Sequence, residues 1–482
     1  MLEKHLRAKI EKIELELSKK RKECRYLRQR EKEKIESRDM WKAKYYALQR
    51  PCSINSLKTG VSRAINDTKE DYRGIKRHKY GLKVVTLSIM LYVFANCSFR
   101  SVKKVLDCLN KEYGIFSSEL PSKSSIENWV QKLGYSEYIH SGADLYEGDY
   151  GIIVDESMVI RKQRLMIVLG VEALKKDEKA LRFGTVKLLY IAVRSSWNWQ
   201  DVVELLSKVT EKMGKKPLYV ISDGDGKLIK GIKDAEFQRV ADVGHLMAKF
   251  LEQTYDKQEI FTAFTKAVAG VKFRDVMKDT SYLLPPKQRT IARFLNLSSI
   301  VNWAANILRV FDKLTHIEQK AFFFLKDFKD LIKELESTFE MIHKMLKIIK
   351  NKGISYENID KCLNLGKQYT SVPLKLMDKI KTYLKETKEI LPDATTIWHA
   401  SSDVIESLFG KYKQIAAPNK LHGVTPFVLS LCVYTHFDEY ENDMANQIKF
   451  ALENVLIADL GKWKRNYLID NQVVRRKKVL KI

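Results

Sequence analysis

Within residues 1–50, apolar side chains recur at Leu6, Ile10, Ile13 and Leu17, then at Cys24 and Leu27, then at Trp41, Tyr45 and Leu48. Inside each run the steps alternate three and four, the seam of a heptad repeat. Lys20, Glu31, Lys34 and Arg38 interrupt it. The pattern predicts a long basic helix with a weak coiled coil over 1–50, and self-association is favoured over a lone basic helix lying on DNA. Pro51 ends that helix. Residues 51–80 read as a linker, polar and then basic at RGIKRHK (73–79).

The next block, 81–145, predicts three helices: LKVVTLSIMLYVFANC (82–97), FRSVKKVLDCLNKEYG (99–114) and KSSIENWVQKLG (123–134). Ser98 is placed to cap the second, Gly114 to end it, and Gly134 to close the third. An apolar first helix, a short turn and a third helix opening on Lys and Ser fit a helix-turn-helix. Lys123, Ser124, Ser125 and Asn128 then start the reading helix. A generic three-helix core fits the pattern equally.

From residue 149 the period changes to that of strands. YGIIVDESMVI (150–160), RLMIVLGVEAL (164–174) and VKLLYIAVRSS (186–196) are apolar, β-branched runs in succession, which predicts an antiparallel meander. An amphipathic helix (198–214), a fourth strand at KPLYVIS (216–222), a short helix (225–235), and a fifth strand passing into a helix (237–247) follow. The order β-β-β-α-β-α-β-α is a mixed α/β fold. Residues 251–395 carry helical periodicity throughout. Helices around 402–415 and 427–437 then precede a basic tail, 441–482.

Composition narrows the partners. The formal net charge is +26 on 482 residues, more of one sign than solubility requires. Double-stranded DNA becomes the leading partner through phosphate neutralisation, and the charge tips the three-helix block toward DNA binding. None of the six cysteines forms a CxxC or CxxH pair, which argues against a zinc module or a disulfide framework and fits a reducing cytoplasm. The N-terminus is too charged for a signal peptide. The most apolar stretch, 82–97, is too short to span a bilayer, so no membrane partner is expected.

Two carboxylates stand out. Asp155 and Glu156 interrupt an otherwise buried strand and, by alternation, face opposite sides. Asp223 ends the fourth strand in VISDGDG. Adjacent first and fourth strands would bring Asp155 and Asp223 together as two hard oxygen ligands suited to Mg²⁺ or Mn²⁺. Asp-Gly is also a common turn pair, and Asp225 reads as the cap of the next helix.

These residues resemble a family. Asp155 in VDES, Asp223 in ISDGDG and Glu406 in SSDVIESLFGKYK are similar to the acids of DDE transposases, whose catalytic domain is RNase H-like. Asp242 and His245 in ADVGHLMAKF match the Asp/Cys-x-x-His signature of the hAT and Mutator-like groups, and the helical block matches their all-helical insertion. The resemblance spans roughly 149–440 and, with the upstream helices and the charge, points to a bacterial insertion sequence. It implies an RNase H-like domain in two parts (149–250 and 396–440) split by the insertion (251–395). It also implies two Mg²⁺ or Mn²⁺ ions on Asp155, Asp223 and Glu406, with Asp242 and His245 in support. Element ends and target DNA would be the substrates of cleavage and 3′-hydroxyl strand transfer. A homodimer or higher homo-oligomer is expected, because two ends must be paired, in a cytoplasmic, nucleoid-associated setting.

Alternatives remain at this level. Asp403 and Glu406 read equally as a capping box, and Asp403 is the alternate third acid. Lys411 and Lys413 after Glu406 suit phosphate contact. Asn302 precedes Trp303 where some relatives carry Arg-Trp, so Trp303 reads as a core residue. A nuclease that cuts without joining, or an inactive transposase-derived DNA-binding protein, fits the same residues.

Overall fold

The computed structural model describes residues 74–480 except 115, 117–118, 142–147, 161–162, 176, 276, 288–293, 295–296, 416–422, 438–443 and 471. The expected coiled coil (1–50) and most of the linker (51–80) lie outside the described residues. The rest is mixed α/β, mostly helical, around one five-stranded sheet.

Three helices come first: α1 (Leu82–Val93), α2 (Phe99–Tyr113) and α3 (Lys123–His140). The Ser98 hydroxyl accepts from the Ser101 amide at the start of α2, and Gly114 ends it at φ 60°, a left-handed backbone that a side chain would strain. Ser122 caps α3 by accepting from the Ser125 amide. Gly134 does not close α3, contrary to expectation; the helix runs six residues further to His140. The glycine serves packing instead. A Cβ on Gly134 would stand 2.1 Å from the Leu429 carbonyl oxygen, so the missing side chain lets α3 lie directly on the 3-10 turn Pro426–Leu429.

The sheet comprises β1 (Tyr150–Ile160), β2 (Gln163–Glu172), β3 (Val186–Arg194), β4 (Val220–Ser222) and β5 (Arg239–Ala241). Its spatial order is β3-β2-β1-β4-β5. The antiparallel meander of β1–β3 is as expected; β4 pairs parallel with β1, and β5 parallel with β4. The apolar run expected at 216–222 enters the ladder fully only at Val220, although Leu218 and Tyr219 already bond to β1.

Both faces of β1 are covered, which is why its sequence is a continuous apolar run rather than an alternation. On one face Tyr150, Ile152 and Val154 pack with α4 (Trp199–Met213) and α5 (Gly226–Asp234) through Val202, Leu206 and Ile232. On the other, Ile153 and Ile221 join a larger core with α6 (Val243–Tyr255) and the helices beyond it. These are α7 (Glu259–Asp275), α8 (Ser298–Val310), α9 (His316–Phe322), α10 (Lys329–Lys352), α11 (Tyr356–Gly366) and α12 (Leu374–Glu389). Among the described residues this block contains no strand, as its periodicity predicts. Its spine is α10, which buries Leu331, Leu335, Phe339, Ile342, Met345 and Ile349 at helical spacing.

The chain returns to the sheet in α13 (Asp403–Ile415) and α14 (Ser430–His436). The described residues of the basic stretch 441–482 are largely helical. They form α15 (Met444–Asn454), α16 (Ile457–Tyr467) and α17 (Gln472–Leu480). Ile448, Leu452, Leu460 and Trp463 are buried there, and the Trp463 ring meets Tyr138 of α3 edge-on at 5.9 Å. The three N-terminal helices therefore share a core with the C-terminal ones.

The α3 contact gives a test. Ala favours a helix over Gly by about 1 kcal/mol, yet the Leu429 backbone has no room to yield. Gly134→Ala is expected to lower stability by roughly 1–3 kcal/mol, read as a reduced urea midpoint at unchanged slope.

Candidate active site

The β1–β4 register sets the site. Val154 stands opposite Ser222 in parallel pairing, so the next residues, Asp155 within β1 and Asp223 just past the end of β4, lie side by side on one face. That is the face of Ile153 and Ile221, covered by α6 and α13. Glu156 points to the other side, as alternation requires. There it takes Arg164 at 2.7 Å and also pairs with Lys227 of α5.

Asp223 is both a turn residue and a rim carboxylate. Its Oδ1 accepts from the Asp225 amide at 3.0 Å, closing a turn. Asp225 in turn caps α5 by accepting from the Lys227 amide, the role its position predicts. The backbone of Asp223 is held from the sheet edge: Arg239 donates to the Ser222 hydroxyl, the Ser222 carbonyl and the Asp223 carbonyl.

Asp242 ends β5 and caps α6. Its Oδ1 accepts from the His245 amide at 2.7 Å and lies 3.1 Å from His245 Nδ1. Its Oδ2 accepts from the Ser402 amide at 2.6 Å and the Ser402 hydroxyl at 2.9 Å. This fully engaged carboxylate is buried, yet its pKa is held down to about 2, with the His245 and Ser402 bonds outweighing the cost of burial. Ser402 immediately precedes α13, so Asp242 fastens the entry of that helix to the sheet.

One turn into α13, Glu406 Oε1 sits 3.3 Å from His245 Nε2. The imidazole thus bridges Asp242 and Glu406, and its pKa is raised to about 9, by the Asp242 bond first and Glu406 and Asp155 further down. At neutral pH it is a cation. The expected capping box does not form as written. Asp403 lies inside α13 and pairs with Lys350 of α10, while the Glu406 carboxylate goes to His245. Asp242 and Glu406 are therefore drawn together by one imidazole, and Asp403 is drawn away toward the helical block.

Asp155 is the most strained group electrostatically. Burial first, and Asp223 and Glu406 further, push its pKa up to about 7, with His245 and a Glu156 backbone bond opposing. Glu406 is likewise pushed up, by desolvation first, against His245. Among the described residues no lysine or arginine forms an ion pair with Asp155. Asp155 within β1 and Asp223 just past the end of β4, with Glu406 nearby, are hard oxygen donors. Their chemistry fits Mg²⁺ or Mn²⁺. Among the described residues, no three His, Cys, Asp or Glu side chains already stand gathered as a metal cluster; the Glu406 carboxylate is engaged by His245.

The other predicted residues lie elsewhere. Lys123, Ser124 and Asn128 are exposed on the first turns of α3, with Lys123 3.8 Å from Glu127 and Ser125 half-buried in the cap. Lys413 is exposed; Lys411 is half-buried over Tyr434 and bonds Asn96. Trp303 donates to the Leu283 carbonyl and packs edge-on to Phe322, a core role. Sequence reasoning missed Ser402 and Arg239. A charged residue opening the short strand Arg239–Ala241 was the available signal for Arg239; Ser402 carried none beyond its place before a helix.

Comparison of the chain with models of known protein families and with curated proteins finds no match.

Asp155 yields a pH prediction. Its folded pKa of about 7 lies above the ordinary carboxylate value of 3.8. Folding therefore carries no penalty from this group below pH 4, and the penalty grows as pH rises from about 4 to 7. Asp155→Asn is expected to raise Tm at pH 8 without divalent ions, by several degrees and at most about 4 kcal/mol. At pH 4 the two melting curves should nearly coincide. An equal difference at both pH values would refute the assignment.

Proposed function

We propose that the chain is a DNA transposase of the DDE type, with a metal-dependent active site on Asp155, Asp223 and Glu406. The observation that carries it is the same-face placement of Asp155 and Asp223 on adjacent parallel strands, with the helix start that bears Glu406 tied to the same sheet across a long helical block by the Asp242–Ser402 bonds and His245. The sheet order β3-β2-β1-β4-β5, in which β2 alone runs against the others, supports an RNase H-like reading of this domain. The helical block then reads as the insertion. The charge of +26 supports a DNA partner, as do Arg475, Arg476, Lys477 and Lys478 on the final helix.

In this reading Asp155 and Asp223 would hold Mg²⁺ or Mn²⁺, with Glu406 as the third carboxylate. Bound divalent ions supply an activated water or 3′-hydroxyl and charge stabilisation at the departing oxygen. In cleavage, water oxygen bonds to phosphorus and the P–O3′ bond breaks, freeing the element's 3′-hydroxyl. In joining, that hydroxyl bonds to a target phosphorus and the target's own P–O3′ bond breaks. Asp242 orients His245, and His245 as a cation holds the Glu406 carboxylate ionised in a site otherwise rich in negative charge. Lys123, Ser124, Ser125 and Asn128 are proposed for end recognition, and Lys411 and Lys413 for phosphate contact. Self-association through residues 1–50 would pair two ends. No described helix is long and apolar enough to cross a membrane.

The test uses purified protein, Mg²⁺ or Mn²⁺, and labelled DNA carrying the sequences that flank its own gene. Site-specific nicks and joined products are expected, reduced at least a hundredfold in Asp223→Asn and Glu406→Gln. Cutting without joining would make the protein a nuclease. Binding without cutting under both metals would make it an inactive, transposase-derived DNA-binding protein.

A further inference from the structure

We propose that Arg239 is a positioning residue for Asp223: from the edge strand it grips the peptide groups on both sides of Asp223 and so fixes where that carboxylate points. The inference deepens the reading of the site given above and rests on it.

Arg239 opens β5, the outermost strand. Its Nε donates to the Ser222 hydroxyl at 2.8 Å. One terminal nitrogen donates to the Ser222 carbonyl at 3.2 Å and to the Asp223 carbonyl at 2.5 Å. Those carbonyls belong to the peptide units before and after the Asp223 Cα. Holding both removes the two backbone rotations that would swing its side chain. The clamp is needed because β4 is three residues long and ends at Ser222, so the ladder itself gives Asp223 no support.

The choice of arginine is informative. Three acceptors around one backbone corner demand a planar fork, which a lysine ammonium does not provide. Among the described residues, this guanidinium forms no ion pair with a carboxylate. A half-buried cation without a carboxylate partner is costly, and an edge strand could be closed with an apolar residue. What the site gains is a positive charge beside Asp223 and Asp242, whose fields favour the charged guanidinium against its burial. Arg239 thus supplies aim and partial charge balance while bonding only the Asp223 carbonyl and not its carboxylate. Its own flank lines an open groove of about 780 Å³ with Leu246, Phe250 and Tyr383, so no packed layer outside the strand does the clamping instead.

A merely structural role, closing the sheet edge, predicts different behaviour from a positioning role. The Asp225 amide bonds to the Asp223 carboxylate and reports its position. The Val220 amide bonds to the Gln238 carbonyl and reports the β4–β5 pairing. Amide exchange would be measured at both in the full-length protein and in Arg239→Lys and Arg239→Gln, with Mn²⁺ binding by calorimetry and DNA cleavage kinetics. Arg239→Lys keeps the charge and guards against loss of folding. Expected in both variants is faster exchange at Asp225 with Val220 unchanged, Mn²⁺ binding weakened about 10–100-fold, and kcat reduced with KM for DNA held. Unchanged exchange at Asp225 in Arg239→Gln, or equal loss of protection at Val220, would overturn the inference. If the wild-type protein itself neither binds Mn²⁺ nor cuts DNA, the metal reading fails, and the paired exchange rates alone decide the role of Arg239.

Discussion

One buried carboxylate holds the site together. Asp242 receives the β5 chain, caps α6, orients His245 and binds the amide and hydroxyl of Ser402, 160 residues away in sequence. Its own amide donates to the Ser222 carbonyl, one residue before Asp223. A group with this many charge-assisted donors stays ionised at low dielectric, and removing it would leave several buried donors unpaired. Every other element of the site, from the Asp223 turn to the first turn of α13, is placed relative to this joint.

Around that joint the charges are arranged against stability. Asp155 is buried with Asp223 and Glu406 nearby, and burial first, then those two charges, push its pKa up to about 7. The cations nearby are arranged to guide rather than to neutralise. His245 takes Glu406 from one side, and Arg239 spends its donors on carbonyls instead of on a carboxylate. An arrangement optimised for folding alone would pair these acids or replace them. A site that keeps oxygen donors open for a hard cation tolerates this penalty, and that imbalance is the strongest physical reason to read the cluster as functional.

Much of this was legible in the chain because local rules and tertiary context agreed. Alternation put Asp155 and Glu156 on opposite faces, and Glu156 does pair away from the site. The Asp223-Gly224-Asp225-Gly226 stretch gave both a turn and a cap. Where the reading failed, a distant partner overruled a local rule. Gly134 looked like a terminator, but its bare Cα accommodates the Leu429 carbonyl. Asp403 and Glu406 looked like a capping box, but Lys350 and His245 compete for their carboxylates. Charge density made 441–482 look like a tail, although Ile448, Leu452, Leu460 and Trp463 supply a buried stripe between the basic positions. No one-dimensional pattern could reveal Ser402, whose role exists only once Asp242 is beside it.

The helical block enters this balance through α13. That helix is held from two directions: Asp242 binds Ser402 from the sheet, and Lys350 of α10 pairs with Asp403 from the block. Gly244, in the first turn of α6, lies where an added Cβ would meet both Asp242 Oδ1 and Lys350 Nζ, so the two attachments converge within one helical turn. Glu406 follows Asp403 by three residues and so shares its face. Its carboxylate position is the resultant of both attachments. The block is therefore no passive appendage between two halves of a domain. α10 is its spine, and the end of that spine lands on the turn that presents the third carboxylate. The helical block helps hold Glu406 in place because its longest helix bears on the same helix start as the sheet does.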